Sequence, residues 1–206
     1  INTVDVLKRE AASRNKDKEV AYRKNKRYIS KLQYVDIREK KEQNSITQNG
    51  LYLITGGLGG VGLHLAQHLL VNHKANLLLL GRQDLPPQSD WDDVSSFDAD
   101  VVQKIQMLKE MAQYGQVFYE SVDITDEASL KEIILQIEKE SDADLCGLYH
   151  LAGSYHEKEL AEETVESVTD IFQAKVFGTQ ALHNVICELN KKDILFVHFS
   201  SIIGYF

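Results

Sequence analysis

Five glycines, at positions 56, 57, 59, 60 and 62, lie between the apolar run Leu51-Tyr52-Leu53-Ile54 and the helical spacing of Leu63, Leu65, Ala66, Leu69 and Leu70. A strand that turns sharply into a helix aims the helix's first N–H groups at a phosphate, and side chains at the bend would hold that phosphate away. Thr55, Gly56, Gly57, Leu58, Gly60, Val61 and Gly62 are therefore candidate cofactor-binding residues, cradling the pyrophosphate of a dinucleotide. The run satisfies both a TGxxxGxG and a TGxxGxxG spacing, so the loop by itself leaves the subfamily open. Farther on, Leu80-Gly81-Arg82 closes the next apolar run without the carboxylate that an NAD-preferring site places there. The Arg82 guanidinium can pair with a 2′-phosphate, which predicts NADPH rather than NADH. Asp123 and Ile124, in Val122-Asp123-Ile124-Thr125, stand where an adenine edge is expected, although Asp126-Glu127 beside them also reads as a helix start. Ala152 and Gly153 are small enough to admit the ribose and nicotinamide half, whereas His150 before them reads as a satisfied core histidine.

Such residues need a frame. From Gly50 onward, apolar strands alternate with amphipathic helices, the pattern of an α/β fold with a parallel sheet covered on both faces. Strands are expected at Leu51 to Thr55, Asn76 to Leu80, Gln116 to Val122, Leu145 to Leu151 and Ile194 to Ser200. Helices are expected around Leu63 to Asn72, Val101 to Tyr114, Ala128 to Glu140 and Val165 to Leu189. Right-handed crossovers then give a Rossmann-like, doubly wound sheet in the order 3-2-1-4-5, with ligand over the strand C-termini beside the first and fourth strands. The loop from Gln83 to Asp98, with Pro86, Pro87 and Trp91, reads as surface. Residues 1 to 18 read as a polar helix, and Glu19 to Arg23 and Arg27 to Ser30 flank Lys24-Asn25-Lys26 as a β-hairpin. A two-stranded ribbon is marginal alone, so this piece either packs on the following domain or belongs to a larger unit. Residues 36 to 48 read as a linker, and the chain divides into 1–47 and 48–206.

The 206 residues are 43% hydrophobic, enough for one ordinary core with an appendage. Net charge is −8, split as +6 over residues 1–50 and −14 over the rest. The positive charges of the head are interleaved with acids and with Tyr22, Tyr28 and Tyr34, the pattern of a solvated surface rather than a nucleic-acid footprint. No apolar run reaches the roughly 20 residues that span a bilayer, and no leader opens the sequence, which implies neither membrane nor export and a cytoplasmic location. Cys146 and Cys187 read as buried thiols with no metal or disulfide role.

Together, Thr55 to Gly62, Leu80-Gly81-Arg82, Val122 to Thr125, Gly147 to Gly153, Ala174-Lys175-Val176-Phe177-Gly178-Thr179 and Phe196 to Ser201 resemble the catalytic half of a ketoreductase domain of modular polyketide synthases. These domains belong to the short-chain dehydrogenase/reductases. The likeness covers nearly all of residues 48–206, and Val20 to Leu32 resembles the last strands of the family's cofactor-less structural half, making 1–47 its remnant. Lys175 is the telling residue, because ordinary short-chain reductases carry asparagine on this helix and polyketide ketoreductases exchange it with their lysine. The resemblance implies NADPH-dependent reduction of a β-ketoacyl thioester carried by an acyl carrier protein, in company with other polyketide synthase domains. It also implies that Lys175 tunes a proton-donating tyrosine and that Ser201 binds the carbonyl oxygen, with Ser200 the second choice.

The chain departs from the family in two respects. The tyrosine, with an asparagine four residues beyond it, is expected roughly 13 residues past Ser201, whereas the sequence stops at Phe206. Tyr205 lies too close to Ser201 to replace it, so the catalytic part reads as C-terminally incomplete and inactive alone. Tyr155-His156-Glu157 stands where members forming a D-hydroxyl show Leu-Asp-Asp, a lean toward the L-hydroxyl product. Two rivals are an extended short-chain nucleotide-sugar epimerase or dehydratase, using Gly56, Gly59 and Gly62, and a non-catalytic cofactor-binding scaffold of a multidomain synthase. Lys175 and the Ala152-Gly153 ending weigh against the epimerase.

Overall fold

The computed structural model describes residues 3–17, 19–24, 26–36, 46–154, 157–191 and 193–201. Most of the expected linker, together with Tyr155, His156 and Tyr205, lies outside the described residues. The chain divides into two compact units, Ile1–Ser45 and Ile46–Phe206.

In the first unit, α1 (Thr3–Ala11) is followed by the hairpin β1 (Val20–Arg23) and β2 (Lys26–Ile29), paired from Val20 with Ile29 to Arg23 with Lys26. The expected helix over 1–18 is cut short. Ser13 sits just past the helix and its hydroxyl accepts from the Asn15 N–H at 3.3 Å, a local bond that competes with another helical turn. Glu10 ties the helix to the hairpin, accepting from the Tyr22 hydroxyl at 2.6 Å and from Arg27 through Nε at 3.0 Å and Nη2 at 2.6 Å. Arg27 also meets Asp17 at 2.9 Å, so its charge is engaged within the unit.

The second unit carries a five-stranded sheet of β3 (Leu51–Thr55), β4 (Asn76–Gly81), β5 (Val117–Ser121), β6 (Leu145–His150) and β7 (Leu195–His198), parallel throughout. Its order is β5-β4-β3-β6-β7. Counted from β3 this is 3-2-1-4-5, the Rossmann-like winding anticipated from the alternation. Strands buried on both faces read as continuous apolar runs, and the structure divides each run by parity. Leu51, Leu53, Leu78 and Leu80 face α4 (Glu127–Ser141) and α6 (Thr179–Glu188) through Leu130, Ile134, Leu182 and Val185. Tyr52, Ile54, Leu77 and Leu79 face α2 (Gly60–His73) and α3 (Ala99–Met111) through Ala66, Leu69, Leu108 and Met111.

Caps define where helices begin. Asp126 accepts from the N–H groups of Ala128 and Ser129 to start α4, and Thr164 and Ser167 form a reciprocal capping box at α5 (Val165–Phe172). The single helix expected from Val165 to Leu189 is instead α5, a π-helical turn over Gln173–Gly178, and α6. Two carbonyls of that turn go to side chains: Ala174 O accepts from His150 at 2.9 Å and Lys175 O accepts from the Thr179 hydroxyl at 2.7 Å. Cys187 is exposed rather than buried, because α6 turns Leu182, Val185 and Ile186 to the sheet and leaves Cys187 on the outer side. Trp91, in the loop after β4, is half-buried and donates from Nε1 to Pro86 O at 2.8 Å.

Candidate functional site

The bend after β3 is built by glycine packing. Gly56 has φ of +69°, a backbone conformation that side chains disfavour. A Cβ on Gly62 would stand 2.3 Å from Gly56 O and 2.8 Å from Gly57 Cα, so only glycine lets the first turn of α2 close on the strand. Gly57 lies against Leu79 of β4, and Leu58 packs on the core. Gly60 differs from these, because a Cβ there would meet nothing within 4 Å. It begins α2 behind Gly59, an N-cap residue in extended conformation that supplies no side-chain cap. The first N–H groups of this 14-residue helix thus have no capping side chain, and the space beside Gly60 is open, the donor set and room that a pyrophosphate requires. The loop residues present therefore fit a dinucleotide.

Two adjoining cavities, of about 210 Å³ and about 780 Å³, share Gly56, Gly153 and Ser154 at the C-terminal ends of the strands. Arg82, Asp123, Ile124 and Ala152 line the smaller, opposite Asp170 and Gln173. Gly60, Val61, Gly62, Lys175, Ser200 and Ser201 line the larger, with His198. Lys175 and the glycine loop thus border one cavity although they are more than 100 residues apart in sequence.

Each side chain has a definite setting. Arg82 and Asp123 are exposed, and Asp123 Oδ1 accepts from the Thr125 N–H at 2.9 Å and hydroxyl at 2.8 Å, a local turn that fixes the carboxylate. Helix capping falls to Asp126 instead. Thr55 is fully buried, with Oγ1 2.6 Å from His150 Nδ1 and accepting from the Ala152 N–H at 3.0 Å. Its hydroxyl is directed into the protein. Ser154 donates to Asp170 O at 3.2 Å, joining the β6 loop to α5.

Lys175 is half-buried. Its Nζ donates to Phe199 O at 2.9 Å and Leu151 O at 3.3 Å, the carbonyls just past the ends of β7 and β6. A Cβ on Gly153 would lie 2.8 Å from Lys175 Cε, so this glycine makes room for the stem to pass. Burial lowers the lysine's pKa, since loss of water disfavours the charged form. The His198 ring is 5.7 Å from that of His150, edge to face, and its pKa is lowered first by burial and then by the Lys175 charge. His150 is pushed down to about 4, chiefly by burial. Nothing in this arrangement asks it to carry a proton at neutral pH, in keeping with the core histidine expected.

Sequence reasoning passed over Ser154, Asp170, Gln173 and His198. Ser154 follows Ala152-Gly153 directly, and Gln173 lies two residues before Lys175, so position relative to known neighbours could have found both. Among the described residues no cluster of three His, Cys, Asp or Glu side chains could hold a metal, and no helix is long and apolar enough to cross a membrane.

Comparisons with known proteins bear on the same region. The KR domain model matches residues 50–206. The polyketide synthase PksM of Bacillus subtilis (strain 168) is 30% identical over 183 residues, covering 88% of this chain and 4% of PksM. The adenylation, ketoreductase and pseudo Asub multidomain structure of a keto acid-selecting NRPS module superposes with a TM-score of 0.76 at 32% identity, covering 91% of this chain and 15% of that one. A ketoreductase domain from the bacillaene assembly line gives a TM-score of 0.70 at 24% identity, covering 98% and 43%, a likeness of fold. The chain thus spans a small fraction of the curated synthase it matches.

Proposed function

Because the chain belongs to the KR domain family, we propose that it forms the nucleotide-binding half of a reductase that converts the β-keto group of an acyl chain to a hydroxyl, the acyl chain being held as a thioester on an acyl carrier protein. NADPH, when bound, supplies the hydride. The observation that carries this reading is the inward lysine, whose ammonium lies under the carbonyls of Leu151 and Phe199 beside the glycine loop rather than in solvent.

The chain's own residues divide the work. The N-terminal turn of α2 would hold the pyrophosphate, and Arg82 would donate to the 2′-phosphate that separates NADPH from NADH. Asp123 and Ile124, which line the smaller cavity, would border the adenine, while Ala152 and Gly153 would let the ribose approach. Two of the three Lys175 N–H bonds are anchored to carbonyls, which leaves the third for the groove. A cation fixed there favours the anionic form of a proton donor placed beside it and steadies charge on a reduced carbonyl oxygen. Ser201 or Ser200 donates a hydrogen bond to that oxygen, both lining the same cavity. The remaining domains of a multidomain synthase deliver the substrate, and residues 1–47 act as the end of a structural subdomain.

A second reading takes its lead from the 32% identity to a structure described as a keto acid-selecting NRPS module, namely that the thioester is that of a keto acid whose ketone is not at the β carbon. The test is reduction of matched α-keto and β-keto thioesters by a polypeptide that continues past Phe206, followed as loss of NADPH absorbance. Turnover of either that falls roughly a hundredfold in Lys175→Met supports the reading. Unchanged turnover in that variant overturns it.

A further inference from the structure

We propose that His150 is a positioning residue for Lys175, holding the peptide that precedes the lysine so that its ammonium reaches the groove. This deepens the reductase reading and rests on it for its catalytic consequence. The ring is fully buried at the end of β6 and both nitrogens are engaged. Nε2 lies 2.9 Å from Ala174 O, and a carbonyl only accepts, so Nε2 carries the hydrogen. In the neutral ring Nδ1 is then the acceptor, and the Thr55 hydroxyl at 2.6 Å donates to it while Oγ1 accepts from the Ala152 N–H. The chain of bonds therefore has one direction, from the Ala152 amide through Thr55 and His150 to the π-helical turn.

The end of that chain is what matters. Ala174 C=O belongs to the same planar peptide as the Lys175 N–H, so a hydrogen bond to it fixes the plane on one side of the Lys175 Cα. Thr179 holds the peptide on the other side through Lys175 O at 2.7 Å. The Thr179 bond is local to the helix, whereas His150 arrives from the sheet and ties the backbone of the turn to β6. π-Helical turns are uncommon and concentrate at functional sites, and this one has its extra width where the lysine leaves the helix.

Two substitutions separate positioning from mere filling. His150→Asn keeps an acceptor near the Nδ1 position for Thr55 but is too short to reach Ala174 O; His150→Gln reaches Ala174 O but gives up that acceptor. The chain is labelled with [13Cε]lysine, the Lys175 signal is assigned with Lys175→Arg, and its titration is followed by NMR. Lys175 is expected to titrate at higher pH in the Asn variant, where the freed turn lets the ammonium into water, and as in the unsubstituted chain in the Gln variant. His150 and His198, the titratable rings facing the lysine from β6 and β7, are followed in the same spectra. Equal behaviour of the two variants, shifted or not, overturns the proposal.

Should the Asn variant not fold, long-range 1H–15N spectra of the unsubstituted chain decide. An Nε2–H tautomer at His150 is expected, and an Nδ1–H tautomer, which leaves no donor for Ala174 O, overturns the proposal. In a polypeptide continuing past Phe206 the Asn variant is expected to lower kcat roughly tenfold or more with KM for NADPH unchanged. Failure of the unsubstituted chain to bind NADPH would remove the reductase reading and leave the positioning claim to the contrast between Asn and Gln.

Discussion

At the inner end of the groove, Thr55, His150 and Lys175 and the carbonyls of Leu151, Ala174 and Phe199 form one set of hydrogen bonds drawn from β3, β6, the turn after β7 and the helix opposite. At the outer end, Arg82 and Asp123 stand exposed, and Asp123 turns one oxygen to Thr125 two residues away. The inner set is non-local and centred on the fully buried Thr55 and His150, so a loss there is felt beyond its own strand. The outer residues are held by their own strand ends and meet water, so they contribute little to the fold. On the proposed reading, reaction geometry and cofactor preference would rest on separate sets of residues.

The largest expected effect belongs to the packed bend. Gly62→Ala drives a Cβ against backbone at 2.3 Å, and thermal unfolding should show a loss of about 3 kcal/mol or more together with lost nucleotide binding. A fully stable Gly62→Ala chain would mean that the bend is looser than the inner end requires.

Next comes acid. His150 is held down to about 4 against an ordinary value of 6.5, so below pH 6.5 the unfolded chain takes up a proton that the fold refuses. Stability should therefore fall as pH drops from 6.5 toward 4, by about 3 kcal/mol, and urea titrations of His150→Gln should lack that part of the slope.

At the outer end the expected change is in selectivity. Arg82→Ala should cut the preference for NADPH over NADH by about tenfold or more, read from fluorescence titrations, with unfolding unaffected. Destabilisation by this change would erase the contrast between the two ends.

The smallest structural effect is expected at Gly60, where an added Cβ meets no protein atom. Gly60→Ala should leave stability within about 0.5 kcal/mol. Nucleotide binding should weaken by about tenfold, which isolates the phosphate cradle from the packing role of Gly62.

The sheet was legible because Leu51 to Ile54 and Leu77 to Leu80 are apolar on both faces, and the helices between them imposed the strand order. The glycine bend was legible for a similar reason, since its residue types have few other uses. The π-helical turn was not. Gln173, Ala174, Lys175, Val176 and Phe177 all suit an ordinary helix, and the widening is bonded to a histidine 24 residues earlier in sequence. That Lys175 points inward followed from family resemblance, because spacing alone leaves a helical lysine equally suited to water. Thr55 shows the converse limit: read as a cofactor-binding candidate at the end of its strand, it sends its hydroxyl into the protein toward His150 and Ala152, partners distant in the chain.

That threonine has one more consequence. By joining the ends of two neighbouring strands, it sets the gap between the loops that leave them before any guest arrives. A crevice whose width is fixed in advance sacrifices little freedom when filled, so association should resemble a key entering a finished lock more than a hand closing on its object.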